Sequence, residues 1–370
     1  MPDRLFFAGG GTGGHLFPAI AIADAVRRVT PDAEILFIGT KGKIESQVVP
    51  SRGYRFVPIW ISGFSRSLSF STILFPVRVA VSVLQSVALM MKEKPGVVVG
   101  TGGYVCGPPV MAASLLGIPT LIQEQNSYPG ATTRLLAKRV NEVHITFENT
   151  RRFLRRKDNV HLTGNPVRAL VGTIARAGGA ASLGLDPERT TLLVVGGSQG
   201  AVSINTAMLA IVPPLLAQGV QVIWLTGERE FARVQKQLGT PPVRGGLLLR
   251  PFLADMEQAL AAADLVVCRS GASTLAELMC AGLPSILVPY PHAAADHQTE
   301  NARAMVEAGA ALVCADGDIG TRLETMIHEL LGNATRRAAM GTAAKAMGKP
   351  GAAQTLANAA LTLARSHHER

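Results

Sequence analysis

A glycine-rich turn set directly between an apolar strand and a helix constrains this chain most. Leu5-Phe6-Phe7-Ala8 reads as a short strand and Gly9-Gly10-Gly11-Thr12-Gly13-Gly14 as the turn. His15 then opens a helical pattern carrying Leu16, Ile20, Ala23 and Val26. Unpaired N–H groups at such a helix start make a site for an anion or a sugar, and glycine lets a substrate approach the backbone closely. The spelling can be forced into the dinucleotide pattern G-x-G-x-x-G. However, Glu34, the acidic partner that pattern needs, precedes the second strand at 35–38 instead of ending it. No Lys-Ser/Thr pair follows the glycines, which excludes a P-loop. A purely structural turn is the other alternative.

The plan occurs twice. Short apolar strands at 5–8, 35–38, 55–59, 97–100, 119–122, 143–146 and 160–162 alternate with helical segments. A second series follows at 191–195, 221–225, 246–250, 265–268, 285–289 and 311–314. It opens with its own glycine turn, Gly196-Gly197-Ser198-Gln199-Gly200-Ala201. Strands of this kind predict parallel sheets covered on both faces. The expected fold class is α/β, with two Rossmann-like domains facing across a cleft and ligands at the carboxyl ends of the strands. Gly164-Asn165-Pro166-Val167-Arg168 reads as a hinge. The expected domains are 1–165 and 186–352, joined by a linker at 166–185. A closing helix at 353–370 packs on either half, with a return to the N-terminal domain as one option.

The 370 residues are 48% hydrophobic, enough for two cores. The net charge of +10 favours anionic partners such as nucleotide sugars or anionic lipid. Nucleic acid is not expected, because the chain lacks long Lys/Arg runs and base-stacking aromatic spacing. Cys106, Cys268, Cys280 and Cys314 form no C-x-x-C pair, which argues against a zinc site or a disulfide framework. This cysteine usage suits a reducing compartment. No secretory leader is legible, since glycines cut the apolar start after four residues. In the region 64–91, Leu68, Phe70, Ile73, Leu74, Phe75, Val77, Val81 and Leu84 crowd together beside Arg66, Arg78 and Lys92-Glu93-Lys94. Pro76, Arg78 and Gln85 argue against a spanning helix. The expectation is an apolar surface lying on anionic lipid, and the alternative is an ordinary buried helix.

Several polar constellations sit at strand ends. The N–H groups of the 196–201 turn, with the Ser198 hydroxyl, suit a diphosphate or the charge developing on a departing one. Thr274 and Glu277, in the loop and helix after Arg269-Ser270-Gly271-Ala272-Ser273, have capping-box spacing. Alternatively, Glu277 accepts ribose hydroxyls. Gln298 and Asn301 share a helical face, and their amides suit sugar hydroxyls. His292, Asp296 and His297 lack a standard metal-ligand spacing. Asp316-Gly317-Asp318 spells D-x-D but reads as a surface turn. Gln123-Glu124-Gln125-Asn126 follows a strand end as a polar loop, with an exposed acid as one wall of a site. Arg168 either contacts ligand or salt-bridges the two halves.

Together these loops resemble those of the bacterial cell-wall N-acetylglucosaminyltransferases, the MurG type of glycosyltransferase family 28. The matching stretches are Gly9-Gly10-Gly11-Thr12-Gly13-Gly14-His15 with Pro18, Gly100-Thr101-Gly102-Gly103-Tyr104 with Gly107-Pro108, and Glu124-Gln125-Asn126. They continue with Gly164 to Arg168, Gly196 to Ala201, Arg269-Ser270-Gly271-Ala272, and Gln298 with Asn301. The resemblance implies a GT-B fold and inverting transfer of N-acetylglucosamine from UDP-N-acetylglucosamine. The acceptor it implies is the C4 hydroxyl of undecaprenyl-diphosphate-N-acetylmuramoyl-pentapeptide, converting lipid I to lipid II at the cytoplasmic face of the bacterial inner membrane. By the same resemblance the C-terminal half holds the donor. Ser198 and Gln199 meet its diphosphate with Arg168 nearby, main chain near Phe252 its uracil, Thr274 and Glu277 its ribose side, and Gln298 and Asn301 its sugar. Thr12, Gly13, Gly14 and Tyr104 belong to loops that hold the acceptor diphosphate, and Asn126 lines the site. No cofactor is implied, and divalent-cation stimulation is left open. The family usually carries His where this chain has Gln123, and a larger apolar residue at Ser273. An inverting displacement needs a base. His15, at a helix start that favours a neutral imidazole, is the first candidate, and Glu124 the competitor. Two other classes remain: a sugar epimerase or hydrolase on the same scaffold, and a non-catalytic membrane-associated partner.

Overall fold

The computed structural model describes residues 3–63, 74–197, 200–239 and 246–368. The chain divides into two compact units, Met1–Val167 with Gly351–Arg370, and Arg168–Pro350.

The first unit is built on seven parallel strands in the order β3-β2-β1-β4-β5-β6-β7. They are β1 (Arg4–Ala8), β2 (Glu34–Thr40), β3 (Arg55–Ile59), β4 (Val97–Gly100), β5 (Thr120–Glu124), β6 (Glu142–Ile145) and β7 (Val160–Leu162). Successive side chains of a strand point to opposite faces, and β1 feeds a core on each. Leu5 and Phe7 join one cluster with Val97, Val99 and Leu121, capped by helix Gly13–Val29. Phe6 and Ala8 join the other, with Cys106, Val110 and Met90 from helices Gly103–Leu115 and Phe75–Glu93. A strand buried on both sides has no polar face, which explains the unbroken apolar spelling of 5–8. The last helix, Ala352–His368, lies in this unit against helix Gly13–Val29, with Leu356, Ala357, Ala360, Leu361 and Ala364 buried in the first cluster.

The second unit has six parallel strands in the order β10-β9-β8-β11-β12-β13. They are β8 (Thr191–Val195), β9 (Gln221–Leu225), β10 (Leu247–Arg250), β11 (Leu265–Cys268), β12 (Ser285–Leu287) and β13 (Ala311–Val313). In each sheet the strand order reverses beside the first strand, between β1 and β4 and between β8 and β11. Ligands of open parallel sheets sit at such reversals. The turns at 9–14 and 101–103 leave one reversal, and residues 196–197 and 269–271 leave the other.

Charge is divided unequally. The first unit carries 21 basic and 11 acidic residues, the second 15 of each, so the whole net charge of +10 belongs to the first. Helix Phe75–Glu93 in that unit packs one apolar face on the second cluster, through Val79, Val83, Val87 and Met90, and carries apolar residues on its outer face as well. Val77, Ala80, Leu84, Ala88 and Met91 are exposed, while Ser82 and Ser86 are buried with Met90. The two serines tolerate burial because their hydroxyls donate within the helix, to the carbonyls of Val79 at 2.9 Å and Ser82 at 2.7 Å. Only 17% of the helix's apolar window is fully buried, so one face serves the core while another stays exposed. By length and composition alone, it is long and apolar enough to cross a bilayer. The expected apolar residues Phe64 to Ile73 lie outside the described residues.

Candidate active site

At the reversal in the first unit, the turns after β1 and β4 nearly touch. A Cβ on Gly9 would lie 1.9 Å from Thr101 Oγ1. Gly103 has φ +74°, and a Cβ there would lie 2.7 Å from the Gly10 carbonyl oxygen and 3.2 Å from the His15 ring. Glycine is required at both positions, by crowding at the first and by backbone conformation as well at the second. His15 is the third residue of helix Gly13–Val29. Its Nδ1 lies 2.8 Å from Gln125 Oε1, and its carbonyl accepts from Thr101 Oγ1 at 2.8 Å. Thr12 and Gly14 are exposed, and Gly13 is half-buried. The amides of Gly13 and Gly14 make no hydrogen bond among the described residues, leaving two donors at the helix start. Half-buried Tyr104 stands beside Gly11, its Cε1 3.0 Å from where a Cβ would be.

One loop amide is already committed. Glu45 is 1% exposed, and its carboxylate accepts from the N–H of Gly11 and of Thr40, each at 3.0 Å. Charge-assisted bonds of this kind hold the turn from beneath. The sequence reading missed Glu45. A lone acid opening helix Glu45–Ser51 carries no local sign of a partner 34 residues away.

The stretch 123–126 is a correction. Gln123 and Glu124 belong to β5, and Gln123, Glu124 and Gln125 are buried, so the acid is not an exposed wall. Glu124 Oε1 accepts from the Asn126 amide at 3.1 Å and Asn126 Nδ2 at 3.3 Å. Its Oε2 accepts from the Gly130 amide at 3.0 Å and Thr133 Oγ1 at 2.6 Å. Four donors make burial of this carboxylate affordable, and they leave it organising the loop 126–133. Half-buried Asn126 is held further by Thr150 Oγ1, which donates to its carbonyl at 3.1 Å.

In the second unit, Ser198 and Gln199 lie outside the described residues. Helix Ala272–Ala281 is capped by Gly271, so Thr274 is its third residue and cannot be the cap of a box with Glu277. Thr274 and Glu277 are both half-buried. Glu277 instead faces Arg168, whose Nε is 3.6 Å from Glu277 Oε1 and whose Nη1 is 3.8 Å from Glu257 Oε2. All three residues lie in the second unit. Burial pushes the Glu277 carboxyl above the usual carboxylate range; Arg168 opposes this, and the like charge of Glu257 adds to it. Phe252, just after β10, is exposed.

Gln298 and Asn301 both stand on helix His297–Glu307, with different surroundings. Gln298 Oε1 accepts from the Tyr290 amide at 3.0 Å, and its Nε2 has no partner among the described residues. Asn301 is fully buried and donates to the Ser270 carbonyl at 3.1 Å. Its helix packs that face onto the loop after β11, and Ser270 Oγ donates back to the Gln298 carbonyl at 2.8 Å. Asp316, in the D-x-D turn, is also occupied. It accepts from Arg269 Nη1 at 2.6 Å and Ser203 Oγ at 2.7 Å. Among the described residues, no three His, Cys, Asp or Glu side chains are grouped to hold a metal.

Residues 5–145 match the glycosyltransferase family 28 N-terminal domain, and residues 191–356 the family 28 C-terminal domain. The chain belongs to glycosyltransferase family 28. The two family 28 matches respect the sheets: the first ends with β6 and the second begins with β8. Over 368 residues the chain is 45% identical to a protein of Chlorobaculum tepidum, covering 98% of this chain and all of that one. It is 44% identical over 362 residues to a protein of Salinibacter ruber, covering 98% and 97%. Both relatives are named UDP-N-acetylglucosamine--N-acetylmuramyl-(pentapeptide) pyrophosphoryl-undecaprenol N-acetylglucosamine transferase. The crystal structure of Acinetobacter baumannii MurG is similar at a TM-score of 0.78 and 27% identity, covering 98% of this chain and all of that one. The two parallel sheets with reversed strand order are those of the GT-B fold class.

Proposed function

We propose that this family 28 protein transfers N-acetylglucosamine from UDP-N-acetylglucosamine to the C4 hydroxyl of undecaprenyl-diphosphate-N-acetylmuramoyl-pentapeptide, making lipid II from lipid I. The end-to-end identity of 45% with a relative named for this transfer carries the reading. Both units and all four reversal loops fall inside that match.

The first unit is the acceptor half in this reading. The open amides of Gly13 and Gly14, at the positive end of a helix, suit the acceptor diphosphate. Thr12 and Tyr104 flank them. Its surplus of basic residues and the exposed stripe Val77–Leu84–Met91 suit attachment to the anionic cytoplasmic face of the inner membrane. The second unit is the donor half. Glu277 takes the ribose, with Thr274 beside it and Arg168 close to the diphosphate. Phe252 flanks the uracil, the Nε2 of Gln298 reaches a sugar hydroxyl, and Asn301 holds the loop beneath. The family resemblance assigns Ser198 and Gln199 to the diphosphate.

Inversion requires one displacement. His15 takes the C4 hydroxyl proton as that oxygen bonds to the anomeric carbon, and the bond to UDP breaks with its electron pair on the diphosphate. Glu124 is the weaker candidate for base, because four donors already surround its carboxylate. The test is transfer of labelled sugar to a lipid I analogue by the parent protein and by His15→Ala. A variant that binds donor normally but turns over roughly 100-fold more slowly supports both assignments. A parent that forms no disaccharide-lipid rejects the substrates, and a fully active variant rejects the base.

A further inference from the structure

We infer that Gln125 is a positioning residue that sets the tautomer of His15. The inference rests on the reading of His15 as the base, but its own first test does not require turnover. Gln125 is 2% exposed, and every polar atom of its side chain is engaged. Nε2 donates to the carbonyl oxygens of Thr101 at 2.7 Å and Gln123 at 3.1 Å, and also to Gln123 Oε1. Main-chain carbonyls only accept. Turning the amide over would set its oxygen against both of them, so the surroundings decide the flip. Oε1 is therefore the atom 2.8 Å from His15 Nδ1. An amide oxygen has no hydrogen to give, so the proton of that bond sits on Nδ1. In the neutral ring, Nε2 is then the basic nitrogen, and it has no partner among the described residues.

The clamp extends further. Gln123 is fully buried and holds Gln125 through its own Oε1, while its Nε2 lies 3.3 Å from Asn165 Oδ1 and 3.4 Å from Thr146 Oγ1. Gly102 leaves room for the imidazole, since a Cβ there would lie 2.7 Å from His15 Nδ1. In the transfer step, the acceptor hydroxyl proton moves to Nε2 as the new C–O bond forms and the bond to the diphosphate breaks. The imidazolium so formed keeps its Nδ1–H bond to Gln125. Without Gln125, part of the population holds its proton on Nε2 and cannot accept another there.

The experiment is long-range 15N–1H correlation on the full chain labelled with 15N-histidine, with His15 assigned from the signals lost in His15→Gln. The parent is expected to show a protonated Nδ1 and a bare Nε2 at neutral pH. Gln125→Leu is expected to lose that preference and to lower kcat about 10- to 100-fold, with each KM within about twofold. Gln125→Met, close in length but without the acceptor oxygen, is expected to lose the preference in the same way, and it keeps the test open if the leucine variant fails to fold. A parent His15 with its proton on Nε2 overturns the proposal whatever the role of His15. Unchanged tautomer and kcat in Gln125→Leu overturn it as well. If the tautomer shifts as expected but His15→Gln itself turns over normally, the positioning stands and the base assignment fails.

Discussion

The carboxylate of Glu45 lies 3.0 Å from the amide nitrogen of Gly11, bridging a buried acid at the start of helix Glu45–Ser51 to the turn after β1. Its other oxygen takes the Thr40 amide at 3.0 Å. Glu45→Ala leaves both donors unmatched in a buried setting. We expect a loss of about 2 kcal/mol in unfolding free energy, since each unsatisfied buried donor costs about 1–3 kcal/mol and removing the buried charge offsets part of it. The KM for lipid acceptor should rise more than the KM for donor, because the turn belongs to the first unit. Urea unfolding and steady-state kinetics check both, and unchanged stability would show that Glu45 does not hold the turn.

Glu277 predicts a divergence between stability and binding. Its carboxyl is raised in the folded state, chiefly by burial, with Arg168 opposing and Glu257 adding. A raised acid ionises less readily in the folded chain than in the unfolded one. Its ionisation therefore works against folding as pH rises from the unfolded value, about 4.3, through the folded one. Glu277→Gln should match the parent in stability below that window and exceed it at neutral pH. Its affinity for UDP should fall roughly tenfold if the carboxylate accepts two ribose hydroxyls. Denaturation at pH 4 and pH 7, with calorimetric titration of UDP, tests this. A variant less stable at pH 7 contradicts the burial argument.

Membrane attachment should depend on the exposed stripe of helix Phe75–Glu93. Leu84 and Met91 are 67% and 65% exposed. Leu84→Glu with Met91→Glu should leave the fold within about 0.5 kcal/mol per site, as surface substitutions usually do. Binding to anionic vesicles should fall steeply, and parent binding should weaken as salt screens the basic unit. Co-sedimentation with phosphatidylglycerol vesicles measures this, and equal binding by parent and variant would place the contact elsewhere.

The closing helix should be indispensable to the first unit. Leu356 is fully buried against helix Gly13–Val29. Leu356→Ala should cost about 2–5 kcal/mol, the range for large-to-small core changes. Donor binding, assigned to the second unit, should survive at temperatures where the first has melted. Thermal unfolding with and without UDP would resolve this, and a melting curve equal to the parent's would count against the packing.

Much of the sheet architecture is legible in the residues. The segments at 55–59, 97–100, 160–162, 191–195, 221–225 and 265–268 are strands over the same residues the apolar spelling predicts. Where both faces are covered, as at 97–100 and 265–268, a parallel strand spells itself out locally. The glycine turns announce where the strand order reverses for a similar reason, because crowding that only glycine tolerates leaves only glycine in the sequence.

Side-chain roles were less legible. Glu124 reads as an exposed acid, Asn301 as an amide for sugar hydroxyls, and Thr274 with Glu277 as either a capping box or a ribose contact. The fold surrounds the first with four donors, buries the second against Ser270, and starts the third's helix three residues earlier than a cap at Thr274 would. A polar residue does not carry the identity of its partner in its own spelling.

By itself, then, the sequence determined the two parallel sheets, their reversal loops and the family, because periodicity, burial on both faces and glycine crowding are properties of neighbouring residues. Only the tertiary structure decided that Glu45 holds the first turn, that Gln125 grips His15, and that the last helix packs on the first. Those pairings join residues 34, 110 and more than 300 positions apart. Hydrogen bonding and close packing act over a few ångströms of space, whatever length of chain lies between.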